Sequence, residues 1–200
     1  MRIQIAAIVA GFGLSAAVQA ADGNWSVYAG ADFVAAEISV SQRQPPEGDA
    51  QLGSIQRTDN DATAVRVRAG MWLNEDFAVE LQTAVSGDSA EGPDTGEIDS
   101  YIGAFIIPRA QPFDWLDMMF PLGFTMLDTI VVDDGGQRFG TSNESVAYGI
   151  NFQFRLGEIL TDPDSVIAGL GIGAGFMVYD TSSDVNVRGY NAGLHFGYDF

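Results

Sequence analysis

The chain has no lysine, no cysteine and a single histidine, and its charge is almost all of one sign. All nine basic residues are arginine and stand against 27 acidic ones, for a formal charge of −18. A nucleic-acid binder needs a basic footprint, so that class is excluded. Without cysteine there is no disulfide framework, thiol catalysis or cysteine-held metal. A third absence is a long apolar run beyond the first twenty residues. A membrane-spanning helix needs about 20 of them. If residues 21–200 enter a membrane, they must do so as a closed barrel of strands, because no other structure satisfies its backbone in lipid.

What is present begins with residues 1–20. Arg2 supplies a positive charge, the stretch from Ile5 to Ala17 is apolar or small, and Val18-Gln19-Ala20 offers small residues at the −3 and −1 positions. That is the pattern of a secretory signal peptide cleaved after Ala20. The remainder, 21–200, is the length of one domain. It is rich in glycine, 24 in all, which suits coiled strands or a crowded barrel interior.

From residue 21 the periodicity is two. Eight segments alternate, and successive strand side chains point to opposite faces. The expected strands cover about 25–39, 62–73, 77–86, 98–108, 115–132, 146–156, 166–178 and 190–200. In the second, Val65, Val67, Ala69 and Met71 oppose Ala64, Arg66, Arg68 and Gly70. In the seventh, Ile172, Ala174, Phe176 and Val178 oppose Gly169, Gly171, Gly173 and Gly175, which leaves room for large side chains from neighbouring strands. Both faces of the fourth are apolar, so its facing stays open. Polar stretches at 42–61, 87–97, 133–144 and 181–186 read as long loops, alternating with shorter turns at 74–76 and 109–114. The connection at 157–164 has room for a helical turn. Trp25, Phe77, Trp115, Tyr198 and Phe200 lie at the turn side and Tyr148, Tyr179 and Tyr190 at the loop side, where interfacial aromatics would sit.

The last strand, Tyr190 to Phe200, alternates Tyr190, Ala192, Leu194, Phe196, Tyr198 and Phe200 against small or polar residues. It resembles the C-terminal signature of bacterial outer-membrane β-barrels. Together with the leader, periodicity and loop alternation, 21–200 resembles the small eight-stranded family that includes OmpA-type transmembrane domains and OmpW. The resemblance implies an all-β, closed, antiparallel, up-and-down transmembrane barrel in the bacterial outer membrane. It also implies contact with lipids and lipopolysaccharide, and an assembly machinery that reads Tyr198 and Phe200. A soluble barrel of lipocalin type would turn the apolar face inward and carry mixed charges outside. Here Arg66, Arg68, Arg155 and Glu80 all oppose the apolar row. That follows if a charge facing mid-bilayer lipid costs about 2–4 kcal/mol.

Candidate site residues lie on the inward face. Counting from a turn near Glu75, Arg68 pairs near Gln82 and Arg66 near Ala84, bringing Glu80 within a diagonal step of the arginines. Asp32, Arg155, His195 and Asp199 share that interior. Such a set is either an ion-pair network plugging the lumen or a gate in a narrow path, since an eight-strand interior is just wide enough to be filled by side chains. His195 lies toward the turn side, away from the outer leaflet where an acyl-transfer site would need it, so no catalytic role is expected. The loop acids Asp59, Asp61, Glu91, Asp94, Glu97, Asp133, Asp134, Glu144 and Asp184 match no calcium-loop spacing and read as a hydrated rim. The expectation is a monomeric, non-enzymatic barrel with no cofactor or metal and a structural or surface-interaction role. A narrow channel for small or hydrophobic solutes is the alternative. With the chain ending at Phe200, no periplasmic wall-binding domain is expected.

Overall fold

The computed structural model describes residues 26–43, 55–87, 95–132, 136, 138–160, 169–181 and 185–199. The expected leader, Trp25, Phe200 and the loop acids Glu91, Asp94, Asp133, Asp134 and Asp184 lie outside the described residues, as do the side chains of Tyr198 and Asp199. The strands are β1 (Ser26–Arg43), β2 (Ile55–Trp72), β3 (Phe77–Ser86), β4 (Gly96–Phe113), β5 (Leu116–Met119), β6 (Leu122–Val132), β7 (Arg138–Arg155), β8 (Leu170–Thr181) and β9 (Val185–Asp199), with a one-turn helix α1 (Leu156–Leu160) before β8.

The named strands all pair antiparallel with their neighbours in the ring, a lone parallel bridge at Asp61↔Thr95 apart, and β9 returns to β1 from Ser26↔Asp199 to Val40↔Val185. The ring is therefore closed. β5 and β6 form one stave, interrupted at Phe120 and Pro121. Met119 pairs with Asn151 and Leu122 with Tyr148, so the register runs through the break. Pro121 has no N–H to give, yet its carbonyl still accepts from the Gly149 N–H at 3.0 Å. Counting that pair as one gives the eight staves expected.

The burial pattern sets the orientation. Phe33, Val65, Val67, Leu81, Ile102, Ile106, Phe124, Met126, Ile172 and Leu194 are exposed on the outer surface, while Asp32, Arg66, Arg68, Glu80 and Gln82 are buried inside. This is the reverse of a water-soluble fold and the arrangement of a barrel whose outer wall faces lipid. Strand four's facing is settled: Tyr101, Phe105 and Ile107 point inward, and Ile102 and Ile106 outward. A bulge between Ile98 and Ser100 lets Ile98 also face in.

Several sequence expectations are corrected. β1 and β2 each run 18 residues, where about 9–11 cross hydrocarbon, so much of the stretch expected as the 42–61 loop is ladder. Polar residues are no obstacle once the ribbon leaves the lipid, and pairs such as Ser39↔Asp59 and Glu37↔Asp61 keep their backbone bonds. The same holds at β7, which starts at Arg138 inside the expected 133–144 loop, and at β8 and β9, which leave only 182–184 between them. The expected 109–114 turn shrinks to Asp114 and Trp115 because β4 and β5 pair as far as Phe113↔Leu116. Tyr179 is not in the loop-side girdle. It shares inward parity with Met177 and is 3 % exposed. Val178, expected outward, is 9 % exposed beside the bulge that breaks the β8–β9 register between Val178 and Asp180. Tyr148 and Tyr190 do face outward at the loop side, and Phe77 and Trp115 at the turn side. There Trp115 stacks between Phe113 and Phe154, with centroids 5.2 Å and 6.0 Å away.

Candidate functional site in the barrel lumen

The lumen is filled in three levels. At its middle, register places Asp32 of β1 directly across from Arg66 of β2. Asp32 Oδ2 accepts from Arg66 Nη2 at 2.7 Å and Nε at 3.0 Å. Arg68 Nε lies 3.3 Å from the same oxygen, close enough to pair but out of hydrogen-bond geometry. Arg68 Nη1 reaches Glu80 Oε2 at 3.7 Å. Gln82, opposite Arg68 as its spacing predicts, joins the group. Its amide donates to Glu80 Oε1 at 2.6 Å, and its oxygen accepts from Tyr101 Oη at 2.8 Å and Arg66 Nη1 at 3.3 Å. Tyr179 Oη lies 3.4 Å from Arg66 Nη1, and its ring meets Tyr101 edge-on at 5.4 Å. Two guanidiniums face two carboxylates here, and each charged side chain is at most 3 % exposed. A buried charge is costly unless it is paired, and each of these has an opposite charge within 4 Å, although hydrogen bonding is complete only around Arg66: Asp32 Oδ1, Arg68 Nε and Glu80 Oε2 are buried without a hydrogen-bond partner.

The turn-side level is separate. Arg155, expected in the same network, instead makes a two-point contact with Asp117 on β5, at 2.8 Å and 3.0 Å. Arg109 lies 4.0 Å from Asp117 and 4.1 Å from the centroid of the Trp72 ring, and its Nε donates to the Glu75 carbonyl at 2.7 Å. His195 sits between strand positions Gly30 and Gly171 and is 3 % exposed. A side chain at Gly171 would collide with its imidazole. One at Gly173 would come 3.6 Å from Arg68 Nη2. The last is ordinary contact, but at Gly175 a side chain would collide with Asn151, so the glycine face of β8 makes room for His195 and Asn151.

The loop-side level is largely aliphatic, with Ser39, Asn60, Thr129 and Asp180 buried among its apolar side chains. Val34, Ile38, Val40, Ile98, Leu127, Val131, Val185 and Val187 are buried within the part of the barrel that rises past the outer apolar band. Sequence reasoning did not assemble this cap: Val34, Ile38, Ile98, Leu127 and Val131 lie on expected strands, but Val185 fell in the expected 181–186 loop and the closure that brings these side chains together is not visible in one strand. It also missed Asp117, Gln82, Tyr101 and Tyr179. The parity of Asp117 with Met119, opposite the outward Phe120, was available as a signal; Tyr101 was hidden by the undecided facing of its strand. Outside the cap the rim is acidic. Asp59, Asp61 and Glu144 are exposed there, and two of its arginines are held by acids, Arg188 by Glu37 at 2.8 Å and Arg138 by Glu97 at 3.6 Å. Among the described residues no group of His, Asp or Glu is arranged to hold a metal.

A closed ring with lipid-facing apolar walls and paired internal charges agrees with a family-wide comparison, in which residues 5–200 match the outer membrane protein beta-barrel domain. The chain belongs to that family. This outer-membrane barrel is a protein of the Gram-negative bacterial outer membrane. Three solved structures share the fold. Ail, the attachment invasion locus protein of Yersinia pestis, solved with the heparin analogue sucrose octasulfate, is 16% identical with a TM-score of 0.53, over 88% of this chain and 100% of that one. Neisserial surface protein A is 17% identical with a TM-score of 0.52, over 88% and 99%. The N-terminal barrel of Pseudomonas aeruginosa OprF is 12% identical with a TM-score of 0.50, over 84% and 99%. A comparison with curated proteins gave no match. At these identities the likeness is one of fold, and the barrel's function has to be argued from its own residues.

Proposed function

We propose that this barrel is a closed, non-enzymatic, monomeric envelope protein whose function lies at its extracellular end, in surface interaction or structural support. The observation that carries this reading is the double obstruction of the lumen. The Asp32–Arg66–Arg68–Glu80 network crosses its middle, and the Ile38, Leu127, Val185 and Val187 cap lies above it. An ion-pair plug alone could rearrange with water. An aliphatic plug above it offers a passing ion no substitute for its hydration. His195 has no acidic or hydroxyl partner in hydrogen-bond contact and packs against glycine, which favours a filling role. The acidic rim also disfavours a polysulfated ligand of the kind bound in the Ail structure. Residues 1–20 act in this reading as a cleaved leader for the 21–200 barrel, and Tyr198 and Phe200 as the signal read by the assembly machinery. The outer wall sits in lipid and lipopolysaccharide.

The alternative, a narrow path for small solutes, draws on one observation. His195 Nδ1, Asn151 Oδ1 and Asn191 Nδ2 are buried along the glycine wall without protein partners, as water-lined positions would be. Single-channel recording on the refolded protein in a planar bilayer separates the two. A silent bilayer, with insertion confirmed, is expected. Discrete openings altered by Arg68→Ala or Glu80→Ala would overturn the closed reading.

A further inference from the structure

The hydrogen-bonded ring is not complete at its extracellular end. β7 pairs with β6 along its whole upper half, from Leu122↔Tyr148 to Val132↔Arg138. On its other side, pairing with β8 stops at Tyr148↔Val178. The bulge at Val178–Asp180 turns β8 toward β9 there. Only side chains bridge the start of the gap. Thr181 N–H donates to Ser145 Oγ at 2.8 Å, and Thr181 Oγ1 donates to the Val146 carbonyl at 3.3 Å. Above Ser145 nothing among the described residues pairs with this edge of β7.

The direction of each backbone group follows from the bonds that are made. Gly149 N–H donates to Pro121 O and the Ser145 carbonyl accepts from Thr125 Oγ1, so odd-numbered residues face β6. The Val146 carbonyl accepts from Thr181, so even-numbered residues face the open side. The β6–β7 register has no break, so this parity persists to Arg138. Gly140, Ser142 and Glu144 therefore turn both N–H and C=O away from β6, to a side that no other described residue pairs with, and all three are exposed. An unpaired strand edge is a template for another strand, commonly blunted by proline or lysine, and the 140–144 stretch has neither.

We infer that the Gly140–Glu144 edge of β7 is a docking site for an extended, basic polypeptide segment, which would add to the sheet as an extra antiparallel or parallel strand. The edge chemistry selects an extended backbone, because only that supplies donors and acceptors at the strand spacing. The surrounding charge selects the sign. Glu144 stands on the edge itself, Asp128 lies beside Ser142 in the ladder, and Arg138 and Arg188 are held by Glu97 and Glu37. The same acidic excess, −18 over the chain, disfavours a second copy as occupant. The inference rests on the extracellular end being the functional surface. Its test is independent of conductance: a barrel that conducts would overturn the closed-lumen reading and leave the binding result standing by itself.

The test uses the refolded full-length barrel in lipid nanodiscs and a fluorescent peptide of alternating lysine and valine, read by anisotropy. Ser142→Pro removes one outward N–H and leaves the ladder to β6, whereas Ser142→Ala keeps the N–H. Saturable binding is expected to the native barrel and to Ser142→Ala, and about tenfold weaker binding to Ser142→Pro. The same peptide N-methylated at alternate amides should fail to bind. Equal binding of the methylated peptide would mean that charge alone holds it and would overturn the inference. So would equal binding by Ser142→Pro with native heat-modifiable mobility. Loss of a cross-linked dimer in Ser142→Pro, with no peptide binding to the native barrel, would assign the edge to a second copy and overturn it as well.

Discussion

Two ion pairs of nearly equal length offer a direct measure of what the lumen does to a charge. Arg66–Asp32 is 2.7 Å long with both side chains at most 1 % exposed, and Arg188–Glu37 is 2.8 Å long with side chains 48% and 37% exposed. Coulomb's law at equal distance makes them alike; burial makes them different. Asp32→Ala leaves Arg66 without its two carboxylate bonds and takes the nearer carboxylate from Arg68, in a site that water does not reach. Removing one partner of a buried pair costs about 3–5 kcal/mol. Glu37→Ala removes an exposed pair, worth about 0–1 kcal/mol. In urea unfolding of the refolded barrel, with a slope of about 2 kcal/mol per molar, Asp32→Ala should lower the midpoint by about 1.5–2.5 M. Glu37→Ala should move it by less than about 0.5 M. The double variant Asp32→Ala/Arg66→Met should recover most of the loss, since it leaves one guanidinium facing Glu80 and no orphan beside it. Equal small shifts for Asp32→Ala and Glu37→Ala would refute the reasoning, because they would mean that the lumen is wet enough to screen its charges. A double variant as unstable as the sum of its parts would refute the pairing itself.

Three further outcomes follow from the geometry. Phe124 is 73% exposed on the outer wall, so Phe124→Arg should destabilise the lipid-inserted barrel by about 2–4 kcal/mol, while the same change should cost far less in the detergent-free rim position Ser142. Gly171→Val should slow or abolish folding by driving a side chain into His195, and the added change His195→Ala should restore part of it, the remainder being set by the Phe154 carbonyl 2.8 Å from the added Cβ, which a gel-shift folding assay would score. Failure of the rescue would mean that the backbone of β7, not the imidazole, sets the limit. Asn74 Oδ1 accepts from the N–H groups of Asp76 and Phe77, both at 2.9 Å, and so closes the β2–β3 turn. Asn74→Ala should cost about 0.5–2 kcal/mol, and Asn74→Asp much less, by the same unfolding measurement.

The staves and the facing of most side chains were legible because a lipid-facing barrel writes a strict period of two into its sequence. The Arg68↔Gln82 pairing followed from a short turn and simple counting. Legibility failed where the period changes its physical basis. Beyond the lipid band both faces of the β1–β2 ribbon meet water or the cap, so Asp59, Asn60 and Asp61 look like loop residues although they lie in the ladder. Bulges defeated parity in two places: one carried Ile98 inside and the other buried Val178. The site was half legible for a similar reason. Residues on one hairpin could be paired by counting, which brought Arg66, Arg68 and Glu80 together, while Asp32 was placed by its facing alone. Asp117 and Arg155 are diagonal neighbours on the paired staves β5 and β7, a pairing hidden by the break at Phe120 and Pro121. Tyr179 reaches Arg66 from across the lumen, which depends on the shear of the closed barrel and is encoded in no single strand.

The charge distribution ties these levels together. The chain carries three acids for every arginine, yet the middle of the lumen is balanced, with Asp32 and Glu80 against Arg66 and Arg68. In a medium of low dielectric an unmatched carboxylate is expensive, whereas on the rim water and salt absorb it. The acidic excess is therefore forced outward, and the interior retains only what it can pair. A lumen chosen for conduction would gain from leaving some of that charge unpaired along a path. One chosen for closure would neutralise it and seal the end with aliphatic side chains, and the Ile38–Leu127–Val187 cap above a balanced network supports the proposed closed reading. On that reading the extracellular rim keeps both the net charge and the β7 edge that no described residue pairs, the two features by which a barrel without a pore would select a partner.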